Sequence, residues 1–282
     1  KDDAVFGYFG DSVTYGVGAG YPYRITEYLD HFWPEIEHIN LSGGIGIDLA
    51  QKVSQASIIK TSNRFDVDKV IYLMNLNDIA PLAYYVDPNT QEYSESRLTD
   101  KEILIRMIKD RIAPLDRLLR GRSVFYTYLR LKIKSYLVTS FEIEASGYRS
   151  IELDPDRHAV LIKRAAKNLA DFTQDMQAKV EFCTIILPYE MQISKDAAEE
   201  YRKIGVKFSD AFREFKTQKL FVEEYKKWTD IKIQWVGEML PENPIGTFYV
   251  FNRGDKIDFN HPNGKGHKEL ASEIASKKLC SD

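Results

Sequence analysis

Three side chains of the sequence could together perform nucleophilic chemistry on a carbonyl carbon. Ser12 stands three residues after the end of an apolar run at residues 5–9, while Asp258 and His261 stand three residues apart near the other end of the chain. A serine hydroxyl becomes a good nucleophile only when a base removes its proton, and a neutral imidazole is the usual base. A carboxylate can orient that imidazole and stabilise its protonated form. The sequence therefore predicts Ser12 as nucleophile, His261 as base and Asp258 as the orienting acid.

Two further stretches carry groups that could stabilise negative charge on a substrate oxygen. The glycine-rich stretch Gly43-Gly44-Ile45-Gly46 follows one strand-like run, and Asn77 follows another. Glycine lets a backbone N–H group approach a substrate closely, and an asparagine amide donates a second hydrogen bond. Such donors are typical of an oxyanion hole.

The elements predicted around these residues would bring them to one edge of a sheet. Apolar, β-branched and aromatic runs indicate strands, and helical spacing of apolar residues separates them. The strands are predicted at residues 5–9, 36–41 and 69–74, and the helices at 21–33 and 48–59. This alternation predicts parallel βαβ units, whose strand ends meet at one edge. Ser12, Gly44 and Asn77 should then emerge together.

The four stretches, in this order, resemble the four sequence blocks of the SGNH/GDSL hydrolase superfamily. The matching residues are Gly10-Asp11-Ser12, the Gly43-Gly44 region, Asn77-Asp78 and Asp258-x-x-His261. The resemblance covers roughly residues 5–78 and 183–282. It implies an α/β fold, a three-layer α/β/α flavodoxin-like parallel sheet. It also implies a single domain over 1–282, and the unmatched middle predicts a mostly helical insertion at about 79–156.

The resemblance also implies an activity and the residues that perform it. It indicates a serine-dependent hydrolase of short-chain or acetyl esters, without a cofactor or metal. The Ser12 N–H, the Gly44 N–H and the Asn77 amide would form the oxyanion hole. The second block is one residue short, so Gly46 is the alternative to Gly44. In the third block, Asn75 stands where the family usually has glycine.

Three other functions remain open from the sequence. The same triad could serve an O-acyltransferase, such as an O-acetyltransferase that modifies a glycan. A metal-dependent phosphoesterase could use Asp11, Asn77, Asp258, His261 and His267 as ligands. A catalytically inactive member could act as a module that binds a carbohydrate or another partner. The aromatic stretch 228–257 is expected to wall the pocket and would suit a glycan.

Composition gives broader limits on partners and location. A net charge of −3 over 282 residues gives no general attraction to nucleic acid. No apolar run is long enough to span a bilayer. The chain starts at Lys1 without an initiator methionine, which suggests processing or truncation and weakly favours an extracytoplasmic location. Oligomeric state and acyl chain length are not encoded in these patterns.

Two local expectations concern the carboxyl-terminal half. Cys183 lies in the predicted core strand 180–187, whereas Cys280 lies in the terminal tail. We expect no disulfide between them, because it would have to join a core strand to a frayed end. Residues 219–222 are apolar enough to predict a further strand, and a last helix is predicted from Pro262 onwards.

Overall fold

A parallel sheet of five strands forms the centre of the protein. The computed structural model describes residues 4–42, 52–83, 151–203, 206–250, 258 and 260–281. The strands are β1 (Ala4–Gly10), β2 (Ile36–Asn40), β3 (Lys69–Met74), β4 (Glu181–Ile186) and β5 (Ile233–Trp235). They lie in the order β2-β1-β3-β4-β5, and each neighbouring pair is parallel.

Helices connect these strands and cover the sheet. The described helices are α1 (Ser12–Tyr15), α2 (Ile25–Phe32), α3 (Lys52–Arg64), α4 (Ile79–Ala83), α5 (Ala159–Gln177), α6 (Glu190–Ile193), α7 (Lys195–Lys203), α8 (Asp210–Arg213), α9 (Lys216–Tyr225) and α10 (Gly264–Ser276). Short 3₁₀ turns span Leu76–Asp78, Ile151–Leu153 and Gly237–Met239. Within the described ranges, no helix has the length and apolar character needed to cross a membrane.

The side chains of β3 show how the sheet is covered on both faces. Val70, Tyr72 and Met74 belong to a hydrophobic core that includes apolar residues of α5 and α9. Ile71 and Leu73 point the other way, into a second core with residues of α2 and α10. Successive strand residues face opposite sides, so a strand buried on both faces is apolar throughout. The result is a three-layer α/β/α arrangement.

This topology confirms the predicted fold class. The strand order 2-1-3-4-5 is the flavodoxin-like one, in which ligands bind beyond the carboxyl ends of β1 and β3. Those two strands lead directly to Ser12 and to Asn77. The predicted insertion at about 79–156 lies mostly outside the described residues, so the domain division stays a prediction.

The expectation about the cysteines is wrong, because Cys183 and Cys280 form a disulfide. The chain beyond α10 does not fray but folds back through a turn, and Cys280 is fully buried. The Lys69 Nζ donates to the Cys280 carbonyl at 2.7 Å, and the Cys280 N–H donates to the Gln234 Oε1 at 2.9 Å. These backbone contacts hold the tail beside the strand that carries Cys183.

The predicted strand at residues 219–222 is also wrong, since these residues lie within α9. The buried positions of this segment include Thr217, Phe221 and Tyr225, which recur every four residues. That spacing defines one face of a helix, and it packs against α5. A short apolar run has the same local composition in a strand and in a buried helix, so composition alone predicted the wrong element.

The two ends of the described part of the aromatic stretch 228–257 lie in different places, since Trp228 is remote from Ser12 whereas Tyr249 and Val250 contact the loop of His261. Trp228 lines a cavity with Lys69 and Glu181, the first residues of β3 and β4. Those are the amino ends of parallel strands, whereas Ser12 follows a carboxyl end. Trp228 therefore does not wall the Ser12 site, and residues 251–257 lie outside the described residues.

Candidate active site

Ser12 stands at the abrupt passage from β1 into α1. Asp11 caps the helix, and its Oδ1 accepts the Val13 N–H at 2.8 Å. The N–H of Ser12 is therefore among the first-turn groups that have no acceptor within the helix. Gly10 permits the tight turn, since a Cβ there would lie 2.6 Å from the Leu73 carbonyl oxygen. The local sequence thus presents both a hydroxyl and a backbone donor at the edge of the sheet.

The structure brings Ser12, His261 and Asp258 into one chain of hydrogen bonds. Ser12 Oγ lies 2.7 Å from His261 Nε2. His261 Nδ1 lies 2.8 Å and 2.9 Å from the two carboxyl oxygens of Asp258. The side chains of His261 and Asp258 are 18% and 21% exposed, so the group is shielded yet reachable. This geometry fits a neutral imidazole with its proton on Nδ1, which leaves Nε2 to accept the Ser12 hydroxyl proton.

Backbone contacts hold the loop that carries the histidine. The Val250 N–H donates to the His261 carbonyl at 3.0 Å, and Tyr249 and Pro262 form an isolated antiparallel bridge. The His261 N–H donates to Asp258 Oδ1 at 3.2 Å, so Asp258 also fixes the backbone of His261. The imidazole is consequently positioned by both its ring and its main chain.

Glu190 and Tyr201 brace this loop from α6 and α7, and the sequence did not suggest a role for either. The Tyr201 hydroxyl lies 2.6 Å from Glu190 Oε2 and 3.1 Å from the Asp258 carbonyl oxygen. Glu190 Oε1 accepts the Gly246 N–H at 2.6 Å. Burial raises the pKa of the Glu190 carboxyl. In the sequence, a glutamate two residues after Pro188 was the only available signal, and local patterns reveal neither its burial nor its partners.

Asn77 follows the end of β3 and lies beside Asp11, the residue before Ser12. Its Nδ2 donates to Asp11 Oδ2 at 3.3 Å, a long hydrogen bond. Burial raises the pKa of the Asp11 carboxyl, and the hydrogen bonds from Val13 and Asn77 act in the opposite direction. The amide is thus held at the edge where Ser12 lies, in contact with the residue that caps α1.

A buried carboxyl anchors the turn that carries Asn77. Asp78 Oδ2 accepts the Tyr72 hydroxyl at 2.6 Å and the Asn75 N–H at 3.2 Å. Burial, followed by the nearby Asp11 charge, raises the pKa of Asp78 well above its ordinary value. Asp78 therefore ties the 3₁₀ turn back to β3, which fixes the position of Asn77.

Two polar residues at the end of β2 hydrogen-bond to the backbone on either side of Ser12. Asn40 Nδ2 donates to the Thr14 carbonyl at 2.6 Å, and Ser42 Oγ lies 2.9 Å from the Gly10 carbonyl oxygen. Both precede the glycine stretch, so their place at the end of the predicted strand 36–41, and just after it, was a usable signal. Gly44 and Gly46 themselves lie outside the described residues.

The ligand set proposed for a metal-dependent phosphoesterase is not assembled. Among the described residues, no group of three or more His, Cys, Asp or Glu side chains could hold a metal ion. His267 is fully buried in the helical layer of α10, and burial lowers its pKa to about 4. Asp258 and His261 instead engage each other and Ser12.

Comparisons with known proteins give similarity of fold. No family model matches the sequence, and no curated protein matches it. The structure is similar to an acetyl xylan esterase from the rumen bacterium Butyrivibrio proteoclasticus, with a TM-score of 0.41 and 10% identity. It is similar to a salicylyl-acyltransferase from a tetracycline biosynthetic pathway, with a TM-score of 0.42 and 13% identity. It is also similar to a member of the lipolytic G-D-S-L family from Veillonella parvula, with a TM-score of 0.38 and 13% identity.

The extent of these matches differs. They cover 97%, 100% and 97% of this chain, in the same order. The chain spans only 63% and 55% of the length of the first two structures, and 97% of the third. At TM-scores below 0.5 and identities of 10–13%, these likenesses support no conclusion about the family or the activity of this chain.

Proposed function

We propose that the protein is a serine-dependent ester hydrolase that acts on short-chain acyl esters, including acetyl esters. Ser12 is the nucleophile, His261 the general base and acid, and Asp258 the orienting carboxylate. The observation that carries this proposal is the continuous hydrogen-bond chain among three residues from opposite ends of the sequence. Ser12 and His261 are 249 positions apart, yet Oγ and Nε2 lie 2.7 Å from each other.

Acylation begins with the hydroxyl of Ser12. As Oγ forms a bond to the acyl carbon of the ester, His261 Nε2 takes the hydroxyl proton. Asp258 accepts the Nδ1–H and stabilises the imidazolium, while remaining ionised itself. When the bond to the alcohol oxygen breaks, the imidazolium returns its proton to that oxygen, and an acyl-serine remains.

The oxyanion formed during this step needs donors at the same edge. The Ser12 N–H at the start of α1 and the Asn77 amide supply two, and the Gly44 N–H is proposed as the third, with Gly46 as its alternative. Asn77 currently contacts Asp11 at 3.3 Å, a distance at which the hydrogen bond is weak. Turning the Asn77 amide towards a substrate oxygen therefore costs little hydrogen-bond energy.

Deacylation repeats the chemistry with water as the attacking group. His261 removes a proton from water, the new oxygen–carbon bond forms, and the proton then returns to Ser12 Oγ as the acid leaves. If a glycan hydroxyl occupies the place of water, the same steps transfer the acyl group instead. We place hydrolysis first and such O-acyl transfer second.

The disulfide supports the extracytoplasmic location that the sequence favoured. Bonds such as Cys183–Cys280 form and persist in oxidising compartments and are rare in reducing ones. An ester carried by a small molecule or a glycan outside the cytoplasm is the corresponding substrate in this proposal.

The test compares the intact protein with Ser12→Ala in the hydrolysis of p-nitrophenyl esters of increasing chain length and of acetylated sugars. The intact protein should release the acid fastest from short esters, and Ser12→Ala should abolish release. Ser57→Ala, an exposed serine on α3, is the matched control and should retain the full rate. Activity that survives in Ser12→Ala, or none in the intact protein with any ester, would refute the proposal. Free acid and acylated sugar are quantified together to separate hydrolysis from transfer.

A further inference from the structure

The segment directly after the nucleophile carries an unusual share of exposed aromatic surface. Of seven large hydrophobic side chains exposed in the described residues, four lie between positions 15 and 23, and three of these are tyrosines. Tyr21 and Tyr23 are the most exposed of the three, at 76% and 54%. A tyrosine ring offers an apolar face together with a hydroxyl, which suits a ligand that is part apolar and part polar.

A cavity lies between this segment and the beginning of α10. Its volume is about 640 Å³, which is within the range of small-ligand sites. The side chains that line it include Tyr23, Tyr28, Ile245, Lys265 and Lys268. Ile245 is the only aliphatic residue of the lining, so the cavity is unsuited to a fatty acyl chain. Its two rings and its polar groups suit the alcohol part of an ester.

The charged side chains that line the cavity are all positive. Lys265 and Lys268 are the only charged residues of its lining, and neither forms an ion pair with a described residue. Arg24 directly follows the tyrosine-bearing segment, but its charge is paired with that of Glu27. The positive end of the α10 macrodipole lies at the same place and adds to the potential. An anionic group is therefore the ligand that this lining would favour.

Hydrogen bonds join the residues that line the cavity to one another and to Glu190. Asn263 Nδ2 donates to the carbonyls of Gly246 and Thr247, and Gly246 is held in turn by Glu190. Asn263 follows His261 by two residues, so their Cα atoms can be at most about 7.6 Å apart. Part of the cavity lining is therefore close along the chain to His261.

We propose that this cavity is a subsite for a carbohydrate that carries negative charge, with Tyr23 and Tyr28 contacting its rings and Lys265 and Lys268 its anionic groups. In this assignment the carbohydrate is the alcohol part of the ester that Ser12 cleaves, so its place in the reaction rests on the proposed function. The binding itself does not depend on catalysis and can be measured separately.

The experiment measures binding of sugars without O-acyl groups to the Ser12→Ala protein by calorimetry. The anionic probes are oligogalacturonate and sulfated dextran fragments, and the neutral counterparts are methyl-esterified oligogalacturonate and dextran. At least one anionic probe should bind about tenfold more tightly than its neutral counterpart at low salt. In the same background, Lys265→Ala combined with Lys268→Ala should remove that preference. Tyr23→Ala should weaken the binding of the anionic probe and of its neutral counterpart to the same extent.

A matched control separates the subsite from general charge. Lys179 and Lys226 are exposed, unpaired among the described residues and located in the opposite helical layer. Their double alanine variant should keep the preference for the anionic sugar. The proposal would be overturned if both double-lysine variants lost the preference for the anionic sugar equally. It would also be overturned if the Ser12→Ala parent showed no such preference. Lysine-dependent binding to anionic phospholipid vesicles in place of the sugars would reassign the cavity to a lipid headgroup.

The two proposals fail in different ways. Hydrolysis of p-nitrophenyl acetate without any preference for an anionic sugar would leave the esterase intact and refute the subsite. Preferential binding that depends on Lys265 and Lys268, in a protein without esterase activity, would support the subsite and refute the reaction.

Discussion

At the scale of single residues, Ser12 depends on groups that its own neighbourhood does not contain. Asp11 and Val13 shape the turn that exposes the hydroxyl, but neither can take the proton from it. That role requires His261, whose ring is oriented by Asp258 through hydrogen bonds of 2.8 Å and 2.9 Å. The reactivity proposed for Ser12 is thus a property of the three residues together.

The first prediction is that these residues act as one unit. Ser12→Ala and His261→Ala should each lower kcat by about 10⁴-fold or more. The double variant should be little worse than either, because one missing member already disables the others. Steady-state kinetics with a short ester would measure this, and circular dichroism would check folding. Losses that multiply in the double variant would contradict a shared mechanism.

The second prediction concerns Asn77, whose amide is proposed to meet charge that exists only in the transition state. Asn77→Ala should lower kcat by about a hundred- to a thousandfold and leave KM nearly unchanged. Asn77→Asp keeps the shape of the side chain but lacks the N–H donor, so its kcat should fall by at least as much. If KM rises while kcat is retained, Asn77 is a binding contact and the oxyanion hole lies elsewhere.

At the scale of elements, the loop after α1 and the loop of His261 constrain each other. Gly18 has a φ of +96°, and a Cβ at this position would lie 2.7 Å from the Pro262 carbonyl oxygen. The same Cβ would lie 2.8 Å from Val250 Cγ2, so no side chain fits without movement of the loop. Two segments from opposite ends of the chain are therefore packed at the limit of contact.

The third prediction follows from that contact. Gly18→Ala should push the His261 loop outward and lower kcat/KM by about ten- to a hundredfold, because small misplacements of catalytic groups are costly. Gly20→Ala is the matched control, since Gly20 has a φ of +68° but nothing within 4 Å of the added Cβ. It should lose about 1 kcal/mol of stability and keep its activity. Equal activity in the two variants would show that the loop contact is unimportant.

At the scale of the whole molecule, the disulfide closes a long part of the chain. Cys183 and Cys280 are 97 positions apart, and both side chains are buried. The bond limits the freedom of the unfolded chain, and such an effect is larger for longer loops. It lies near Lys69, towards the amino ends of the strands, whereas Ser12 follows the carboxyl end of β1.

The fourth prediction is that replacing both cysteines by alanine lowers the free energy of unfolding by about 2–5 kcal/mol. Ester hydrolysis at 25 °C should be retained, since the bond is remote from the site. Urea denaturation of the variant, and of the parent protein with and without a reductant, measures the effect. A parent protein whose unfolding is unchanged by full reduction would contradict a structural role.

The fifth prediction is a pH dependence of stability that arises from His267. Burial lowers its pKa to about 4, Glu27 opposes this shift, and His261 and Arg24 reinforce it. Between about pH 6.5 and 4, the unfolded chain therefore binds a proton that the folded protein excludes, so this contribution to stability falls as the pH falls. The slope can reach about 1.4 kcal/mol per pH unit.

Replacement by leucine removes this titration while the buried volume stays similar. The difference in free energy of unfolding between the parent and His267→Leu should be constant above about pH 7. Below pH 6.5 it should shift in favour of the variant, by up to about 1.4 kcal/mol per pH unit. A difference independent of pH from 7 to 4.5 would show that His267 keeps an ordinary affinity for protons.

The sequence by itself determined the fold class and the types of residue at the site. Strand and helix periodicities are local, so runs such as residues 69–74 could be interpreted without knowledge of their neighbours. Their alternation required parallel strands, and parallel strands required Ser12 and Asn77 to share an edge. The motif spacing then named Asp258 and His261 as the remaining groups.

Only the tertiary structure decided the long-range contacts. It joined Ser12 to His261, folded Cys280 back onto Cys183, and made residues 216–225 a helix by packing one face of them against α5. It also revealed Glu190 and Tyr201 as supports of the histidine loop. The physical reason is that a contact between distant residues depends on the summed packing of the whole core, whereas a local pattern records only the preferences of adjacent residues.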